Sequence, residues 1–261
     1  MKYKIILFLK FLRTKPREAL SFFYQNLYRK TLILNINGRK FYQNNDQSTL
    51  YHLLNSYPKL KKMVSYIPED VDGGVIVDGG ANNGLYSFLV AQRFPRVRII
   101  ACEPSSTLQG VLEKNFSDLN IKLIAKALSD KTEKLSLYTS KDSDQIGSTI
   151  KENVEAFKKS GLETTLVDGI SLEDLMISEN IQKISLLKLD VQGAEYNILK
   201  DADSVLDRTD YLMLEVMLIE PSAFDLIQLI RVKFPFYTVI NKVSYGADIL
   251  FSKKELKPKH A

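Results

Sequence analysis

The chain has 261 residues, 45% of them hydrophobic and 26% charged, which suits one large globular domain or a domain with an extension. Its single cysteine, Cys102, excludes an intramolecular disulfide and favours a reducing, cytoplasmic location, and the isolated histidines His52 and His260 argue against a zinc site. The net charge of +5 lies at the two chain ends around a mildly acidic middle. An enzyme acting on nucleic acid carries its basic surface around the active site, so no nucleic-acid partner is expected.

The N-terminus combines basic and apolar residues. Its apolar run, residues 5–12, is interrupted by Lys10 and is much shorter than the roughly 20 residues that a membrane-spanning helix needs. It also lacks the unbroken apolar core and the small-residue cleavage site of a signal peptide. We predict a short basic amphipathic helix, which either packs on the protein's own core or makes weak peripheral contact with an anionic membrane.

Two further elements are predicted before the main domain. Residues 31–43 predict a β-hairpin that turns at Asn37-Gly38, because this pair readily adopts the positive φ angles of a type I′ turn. Residues 47–65 predict a helix that is broken near Pro58.

Short apolar strands alternate with helices through residues 71–261, which we assign to the main domain after an N-terminal extension over residues 1–70. This alternation predicts an α/β, Rossmann-like fold with a mostly parallel, twisted sheet and helices on both of its faces. The last two strands are joined by a short connection, so the last strand is expected to be antiparallel. Residues 140–165 are polar and without periodicity. The predicted strands are VIVDGG, RIIACEP, IKLIAKAL, KLSLYT, ISLLKLDV, YLMLEVM, FYTVIN and ADILFSK, and the predicted helices are GLYSFLVAQRF, SSTLQGVLEKNF, SLEDLMISEN, GAEYNILKDA and PSAFDLIQLIRV.

The first strand of the main domain ends in a glycine-rich loop. Gly79 and Gly80 allow the backbone to turn sharply and to approach a ligand closely. Asn82 and Asn83 tolerate left-handed conformations, and Gly84 allows the following helix to pack closely. Ligands of such sheets bind beyond the carboxyl ends of the strands, so the loop indicates a nucleotide-like ligand, although a plain strand-turn-helix connection has the same pattern.

The second strand ends in Glu103, whose carboxylate can accept hydrogen bonds from two ribose hydroxyls. The loop nevertheless differs from the dinucleotide fingerprint, because Ala81 replaces its second glycine and the acid Asp78 precedes it directly. A pyrophosphate next to a carboxylate is unfavourable. S-adenosylmethionine has no phosphate and carries an ammonium and a sulfonium group, so it suits an acid-glycine loop better.

A third group of polar residues follows a later buried strand, in LLKLDVQGAEYNILKDA. Asp190 ends this strand at the same sheet edge as the glycine loop, where it serves either the site or the start of the next helix. Glu195 falls in the first turn of that helix, where the helix dipole also favours an acid.

Four segments, VDGGANNGLYSF, CEP, KALSD and KLDVQGAEYNILKDA, resemble the FkbM-type methyltransferase family in their order and spacing. The resemblance covers about residues 75–220. It implies a class I methyltransferase fold, S-adenosyl-L-methionine as the cofactor and methylation of a hydroxyl group, often on a sugar or polyketide. Two residues depart from the family pattern: Gln192 stands where Glu is usual, and Asp201 where Gly is usual.

The resemblance also implies roles for single residues. Glu103 binds the ribose and Asp190 faces the region of methyl transfer. The residues bordering the adenine are Ala127, Leu128 and Ser129, and the loop on the methionine side consists of Asp78, Gly79, Gly80, Ala81, Asn82, Asn83 and Gly84.

We therefore expect an S-adenosylmethionine-dependent O-methyltransferase acting on a hydroxyl of a sugar, glycan or related metabolite. Asp190 is the first candidate for the base and Glu195 the second, Glu215 is expected to orient the substrate, and Ser148 belongs to the polar stretch expected to cover the site. The alternatives are a nucleotide-dependent oxidoreductase and a non-catalytic module that binds S-adenosylmethionine.

Overall fold

The computed structural model describes residues 31–44, 49–140, 143–152, 161–243 and 245–256. The amphipathic helix predicted at the N-terminus lies outside these ranges, within which no helix has the length and apolar character needed to cross a membrane. The predicted β-hairpin is confirmed and consists of β1 (Thr31–Ile36) and β2 (Arg39–Asn44). Asn37 and Gly38 have φ angles of 51° and 84°, as a type I′ turn requires.

Helix α1 (Thr49–Tyr66) differs from the prediction, because it continues through Pro58. An interior proline costs a helix about 3 kcal/mol. Met63 and Val64 of this helix are buried in the core, and burial of each such side chain stabilises the fold by about 1.5–3 kcal/mol. Tertiary packing therefore offsets the cost of the proline, and the helix remains unbroken.

A seven-stranded sheet forms the centre of the main domain. Its strands are β3 (Val75–Gly79), β4 (Arg98–Cys102), β5 (Ile121–Ile124), β10 (Ile184–Leu189), β11 (Thr209–Met217), β12 (Phe236–Val243) and β13 (Gly246–Ser252). They lie in the spatial order β12-β13-β11-β10-β3-β4-β5. Every neighbouring pair is parallel except those of β13, which is antiparallel to β11 and to β12. The predicted mostly parallel sheet with an antiparallel last strand is confirmed, and that strand is inserted between two others.

Helices cover both faces of this sheet, as predicted. The helices are α2 (Leu85–Arg93), α3 (Ser106–Phe116), α4 (Leu172–Ser178), α5 (Glu195–Leu199), α6 (Asp203–Asp207) and α7 (Ala223–Lys233), and a 3-10 turn spans Glu69–Val71. Ile76 of β3 packs with the hairpin, α1 and α2, whereas the next residue, Val77, packs against α4 to α7 on the opposite face. Because both faces are buried, the central strands are mainly apolar.

A second, four-stranded sheet was not predicted. It consists of β6 (Ala127–Leu128), β7 (Lys134–Ser140), β8 (Ser143–Ser148) and β9 (Leu162–Ile170), in the order β6-β9-β7-β8. The segment IKLIAKAL is thus two strands in different sheets, and the polar stretch supplies β8 and part of β9. Residues 163–166 of β9 are exposed, so these strands lack the apolar pattern by which buried strands are identified.

The two central strands position the site. In β3 and β10, which are adjacent and parallel, Gly79 lies opposite Leu189 at the carboxyl ends. The chain continues from β3 to β4 on one side and from β10 to β11 on the other. The order of strands therefore reverses between them, and such a point is where open parallel sheets bind ligands.

Candidate active site

A cavity of about 420 Å³ opens at the carboxyl ends of β3, β4, β10 and β11. We name the two halves of its lining after the predicted roles of their residues. The cofactor-facing half is lined by the glycine loop, the end of β4 and strand β6, and the acceptor-facing half is lined by α1, the loop after β10 and the end of β11. The cofactor-facing lining includes Gly80, Ala81, Asn82, Asn83, Glu103, Ser105, Ala127 and Leu128, and the acceptor-facing lining includes Lys59, Ser148, Thr149, Asp190, Gln192, Glu215, Met217 and Tyr245.

The glycine loop bends back against the end of β10. Gly80 has a φ of 76°, and a side chain on it would place its Cβ atom 2.1 Å from the Asp190 carbonyl oxygen. The glycine is therefore required by contact with the protein's own backbone, in addition to any contact with a ligand. Gly84, with φ 81°, precedes α2 and lies against the ring of Phe116 in α3, so it allows a close contact between the start of α2 and α3.

Glu103 is held at the cavity wall by backbone amides. Its Oε2 accepts a hydrogen bond from the Asn82 amide at 2.8 Å, and its Oε1 accepts one from the Ser105 amide at 2.9 Å. Burial raises the pKa of this carboxyl, although the two amide hydrogen bonds counteract the effect. Each oxygen retains a second lone pair, so the carboxylate can accept further hydrogen bonds from a pair of vicinal hydroxyls such as those of a ribose.

Asp78 lies inside the protein and does not line the cavity. Its Oδ1 is 2.9 Å from Lys188 Nζ, and the Ser87 hydroxyl donates to its Oδ2 at 2.6 Å. Lys188 in turn donates to the carbonyl oxygen of Gly80 at 3.0 Å. The acid before the glycines thus supports the loop through a buried lysine, which interrupts the apolar strand LLKLDV and which we had not identified as a site residue.

The remaining predicted cofactor residues separate into two groups. Ala127 and Leu128 are buried and line the cavity, where they form an apolar wall. Ser129 follows them but is outside the lining, and its hydroxyl donates to the Lys131 carbonyl oxygen. Gly79 is also outside it, because the side chains of Leu128 and Leu189 occupy the space beside its Cα atom.

The acceptor-facing half contains a cluster of charged groups. Gln192 Nε2 donates to Asp190 Oδ1 at 3.0 Å and to Glu215 Oε2 at 3.4 Å, so its amide bridges the two carboxylates. Lys59 Nζ lies 2.9 Å from Glu215 Oε1 and 3.1 Å from Asp248 Oδ1. We had identified neither Lys59 nor Asp248, which lie in α1 and β13, far from the motifs in sequence.

The two bridged carboxyl groups differ in their affinity for protons. Burial opposes the charge of Asp190, but the ammonium groups of Lys188 and Lys59 outweigh it and hold its pKa below the ordinary value. The charge of Asp190, together with burial, raises the pKa of Glu215 to about 7, while Lys59 counteracts this rise. A proton taken up by the pair therefore resides chiefly on Glu215.

Glu195 and Ser148 support the loop between β10 and α5. Glu195 is buried outside the cavity lining, and its Oε1 accepts a hydrogen bond from the Val191 amide at 2.9 Å. Burial raises the pKa of Glu195 to about 8. Ser148 lines the cavity and donates to the Gln192 carbonyl oxygen at 2.9 Å.

Within the described ranges, no group of three or more His, Cys, Asp or Glu side chains is arranged to hold a metal ion. Cys102 lines the cavity, but burial raises the pKa of its thiol, which is therefore protonated at neutral pH.

Comparisons with known proteins identify similar sequences and folds. The model of the family described as "Methyltransferase FkbM domain" matches residues 78–236. "Methyltransferase sdnD" of Sordaria araneosa is 30% identical over 156 residues, which cover 49% of this chain and 60% of that protein. "Methyltransferase 1" of Beauveria bassiana is 27% identical over 148 residues, which cover 51% and 59%. The matched region thus spans about three fifths of each curated relative.

Among solved structures, fibrillarin of Aeropyrum pernix in complex with S-adenosyl-L-methionine aligns with a TM-score of 0.45 and 12% identity. The alignment covers 85% of this chain and 82% of that one.

Proposed function

The chain belongs to the FkbM family of S-adenosylmethionine-dependent methyltransferases, and we propose that it methylates a hydroxyl group of a sugar, a glycan or a related metabolite. One observation supports this proposal above all: a single cavity extends from Glu103, which suits a ribose, to the carboxylates Asp190 and Glu215. A donor and an acceptor can therefore meet in one cavity, and holding two reactants in line supplies much of the catalysis in a transfer reaction.

The residues present fit the cofactor. The Glu103 carboxylate would accept hydrogen bonds from the ribose hydroxyls, Ala127 and Leu128 would form an apolar wall for the adenine, and residues 80–83 would hold the methionine portion. Asp78 contributes indirectly, by holding the lysine that binds the loop. When bound, S-adenosylmethionine supplies a methyl group that its sulfonium centre has already activated.

The charges of the acceptor-facing half favour a hydroxyl over an amine. An amine beside Asp190 and Glu215 would keep its proton, because nearby carboxylates stabilise the ammonium form. It would then lack the lone pair that attacks the methyl group. A hydroxyl is neutral, keeps its lone pairs and can donate its hydrogen to a carboxylate.

We assign the role of base to Asp190. One quarter of its side chain is exposed, it lines the cavity, and its depressed pKa keeps it ionised at neutral pH. An alcohol oxygen becomes strongly acidic as it is methylated, so even a weakly basic carboxylate can accept its proton. Glu215 and the amide of Gln192 offer further hydrogen-bonding groups for an acceptor that carries several hydroxyls.

The test is a methyl-transfer screen with the full chain. Cell-surface glycans, lipid-linked sugars and small hydroxylated metabolites are incubated with S-adenosylmethionine carrying a 13C-labelled methyl group, and amines of similar size serve as controls. We expect label on an oxygen, at the chemical shift of a methyl ether, in at least one hydroxylated acceptor. Transfer to nitrogen alone would contradict the proposal, and absence of any transfer would favour a non-catalytic module that binds the cofactor.

A further inference from the structure

Lys59 is the residue of the site whose position is least expected from its sequence. It belongs to α1, before the segment that matches the family model, and its ammonium group reaches the acceptor-facing half of the cavity. About 29% of its side chain is exposed, whereas the acids that it contacts, Glu215 and Asp248, are 11% and 2% exposed. A buried carboxylate without a cation beside it is unfavourable, so Lys59 stabilises the charge of both.

We propose that Lys59 is a positioning residue of the acceptor site, which holds Glu215 beside Asp190 so that the two carboxylates share the proton released by the acceptor hydroxyl. This inference rests on the proposed hydroxyl acceptor. In the step, the O–H bond breaks, its electron pair stays on the oxygen, and the proton passes to Asp190 and is shared with Glu215. Lys59 remains protonated throughout.

The contacts of Glu215 give each oxygen a separate partner. Oε1 accepts from Lys59 at 2.9 Å, and Oε2 accepts from the amide of Gln192, which also donates to Asp190. Lys59 thus fixes one end of the carboxylate, and Gln192 connects the other end to Asp190. A carboxylate in place of Gln192 would repel the pair, whereas the amide donates to both members.

The charges around Glu215 come from several elements. Lys59 of α1 is the cation in contact with it, Asp190 of the loop after β10 and Asp248 of β13 raise its pKa, and buried Glu195 of α5 lies near enough to interact with it electrostatically. Lys188 of β10 contacts Asp190 at 3.9 Å. Asp248 is held in place by Asn241, whose Nδ2 donates to its Oδ2 at 2.9 Å.

This arrangement predicts a pH dependence that Asp190 alone would not produce. With a pKa of about 7, Glu215 is protonated below neutral pH and ionised above it. Asp190 stays ionised on both sides of this value, so the pair binds the released proton most strongly above neutral pH, where both carboxylates are charged. Turnover should therefore rise as the pH passes through about 7. Removal of the Lys59 charge raises the pKa of Glu215 further, so the rise should move to higher pH.

The first experiment measures the ionisation of Glu215 directly and needs no acceptor. The full chain is labelled with 13C at the glutamate side-chain carboxyl carbons and titrated by NMR, with Glu215→Gln to assign the signal. We expect a midpoint near 7 in the wild type and an upward shift of at least about one pH unit, a tenfold change in proton affinity, in Lys59→Met. Lys62→Met is the matched control, because Lys62 is exposed on the same helix, and it should leave the midpoint unchanged.

Lys59→Gln tests the same point should Lys59→Met fail to fold, since glutamine keeps a donor for Glu215 but carries no charge. A Glu215 midpoint near 4.5 in the wild type, or one that stays within a few tenths of a unit in the charge-removing variants, would overturn the inference.

The second experiment follows turnover against pH on a hydroxylated acceptor from the screen. The midpoint of the profile should move upward in the Lys59 variants, with unchanged affinity for S-adenosylmethionine, and Glu215→Gln should lose the rise. A flat wild-type profile between pH 6 and pH 8 would overturn the proton-sharing role. If no hydroxylated acceptor is found, the proposed function fails, and the NMR titration still decides whether Lys59 controls Glu215.

Discussion

The two halves of the cavity are built in different ways. The cofactor-facing half consists of one short loop, the end of one strand and two apolar residues. Its acidic side chain, Glu103, accepts hydrogen bonds from two backbone amides. The acceptor-facing half is lined by charged side chains from α1, β11 and the loop after β10, and Asp248 of β13 contacts Lys59 from outside this lining. A fixed loop whose backbone groups hold the site suits a ligand that does not vary. Side chains from several elements can be substituted one at a time without altering the fold, so substitutions in the acceptor-facing half can change which acceptor is bound.

The two halves share one structural link. Lys188 binds Asp78 beneath the glycine loop and also lies 3.9 Å from Asp190, and the Gly80 loop abuts the Asp190 carbonyl oxygen. A substitution of a side chain that faces the cavity should therefore have little effect on the opposite half. A substitution of a residue in this link should affect both halves.

The largest effect is expected on turnover at Asp190. Asp190→Asn keeps the size of the side chain and an oxygen for Gln192, but it cannot take the acceptor's proton. General-base contributions are about 10²–10⁴-fold, so turnover should fall by that factor in an assay with saturating cofactor. An Asp190→Asn protein with normal turnover from pH 6 to pH 9 would remove Asp190 from the reaction.

A smaller effect, on stability, tests the link between the halves. Gly80→Ala introduces a Cβ atom that would lie 2.1 Å from the Asp190 carbonyl oxygen, at a φ of 76°, so we expect it to destabilise the fold by about 2–4 kcal/mol in chemical denaturation. Gly110→Ala is the control, since no heavy atom lies within 4 Å of its added Cβ in helix α3, and it should stabilise the fold by about 0.5–1 kcal/mol. Equal stability of the two variants would show that the loop does not press against β10.

The dependence of stability on pH tests the support under the acceptor-facing half. The folded state raises the pKa of Glu195 to about 8 by burying it, so the stability that this group contributes is complete below about pH 4.5 and is lost as the pH rises through 8. Glu195→Gln keeps the acceptor for the Val191 amide but does not titrate. Between pH 5 and pH 8, the wild type should lose about 3–4 kcal/mol of unfolding free energy relative to this variant. If the unfolding free energies of the wild type and Glu195→Gln changed equally with pH, Glu195 would be in contact with solvent in the folded state.

Sequence reasoning succeeded where local pattern and burial coincide. The predicted family is confirmed by the family match, and the hairpin and the strands of the main sheet lie where their apolar runs and turn residues predict. The helix predicted from SLEDLMISEN is also confirmed as α4, and the Ser171 side chain caps it by accepting a hydrogen bond from the Asp174 amide. In each case a few neighbouring residues determine the outcome.

It failed where the outcome depends on contacts between distant residues. The continuity of α1 through Pro58 depends on packing against the core. In the second sheet, residues 163–166 of β9 are exposed, so β9 lacks the apolar pattern of a buried strand. Lys59 and Asp248 join the site through tertiary contact alone. Lys188 and Asp248 could have been identified from the sequence, because each is a charged residue inside an apolar strand. A buried charged residue requires a partner.

The most direct test of the division into two halves is a calorimetric titration of S-adenosylmethionine into three proteins: the wild type, Glu103→Ala and Asp190→Asn. Loss of the Glu103 carboxylate should weaken binding by about 1–3 kcal/mol, because charge-assisted hydrogen bonds to the ligand are lost. The dissociation constant of Asp190→Asn should lie within about twofold of the wild-type value, because the substitution removes a charge from the acceptor-facing half only. A factor of two corresponds to about 0.4 kcal/mol. Unchanged affinity in Glu103→Ala, or a loss in Asp190→Asn as large as its loss of turnover, would contradict the account.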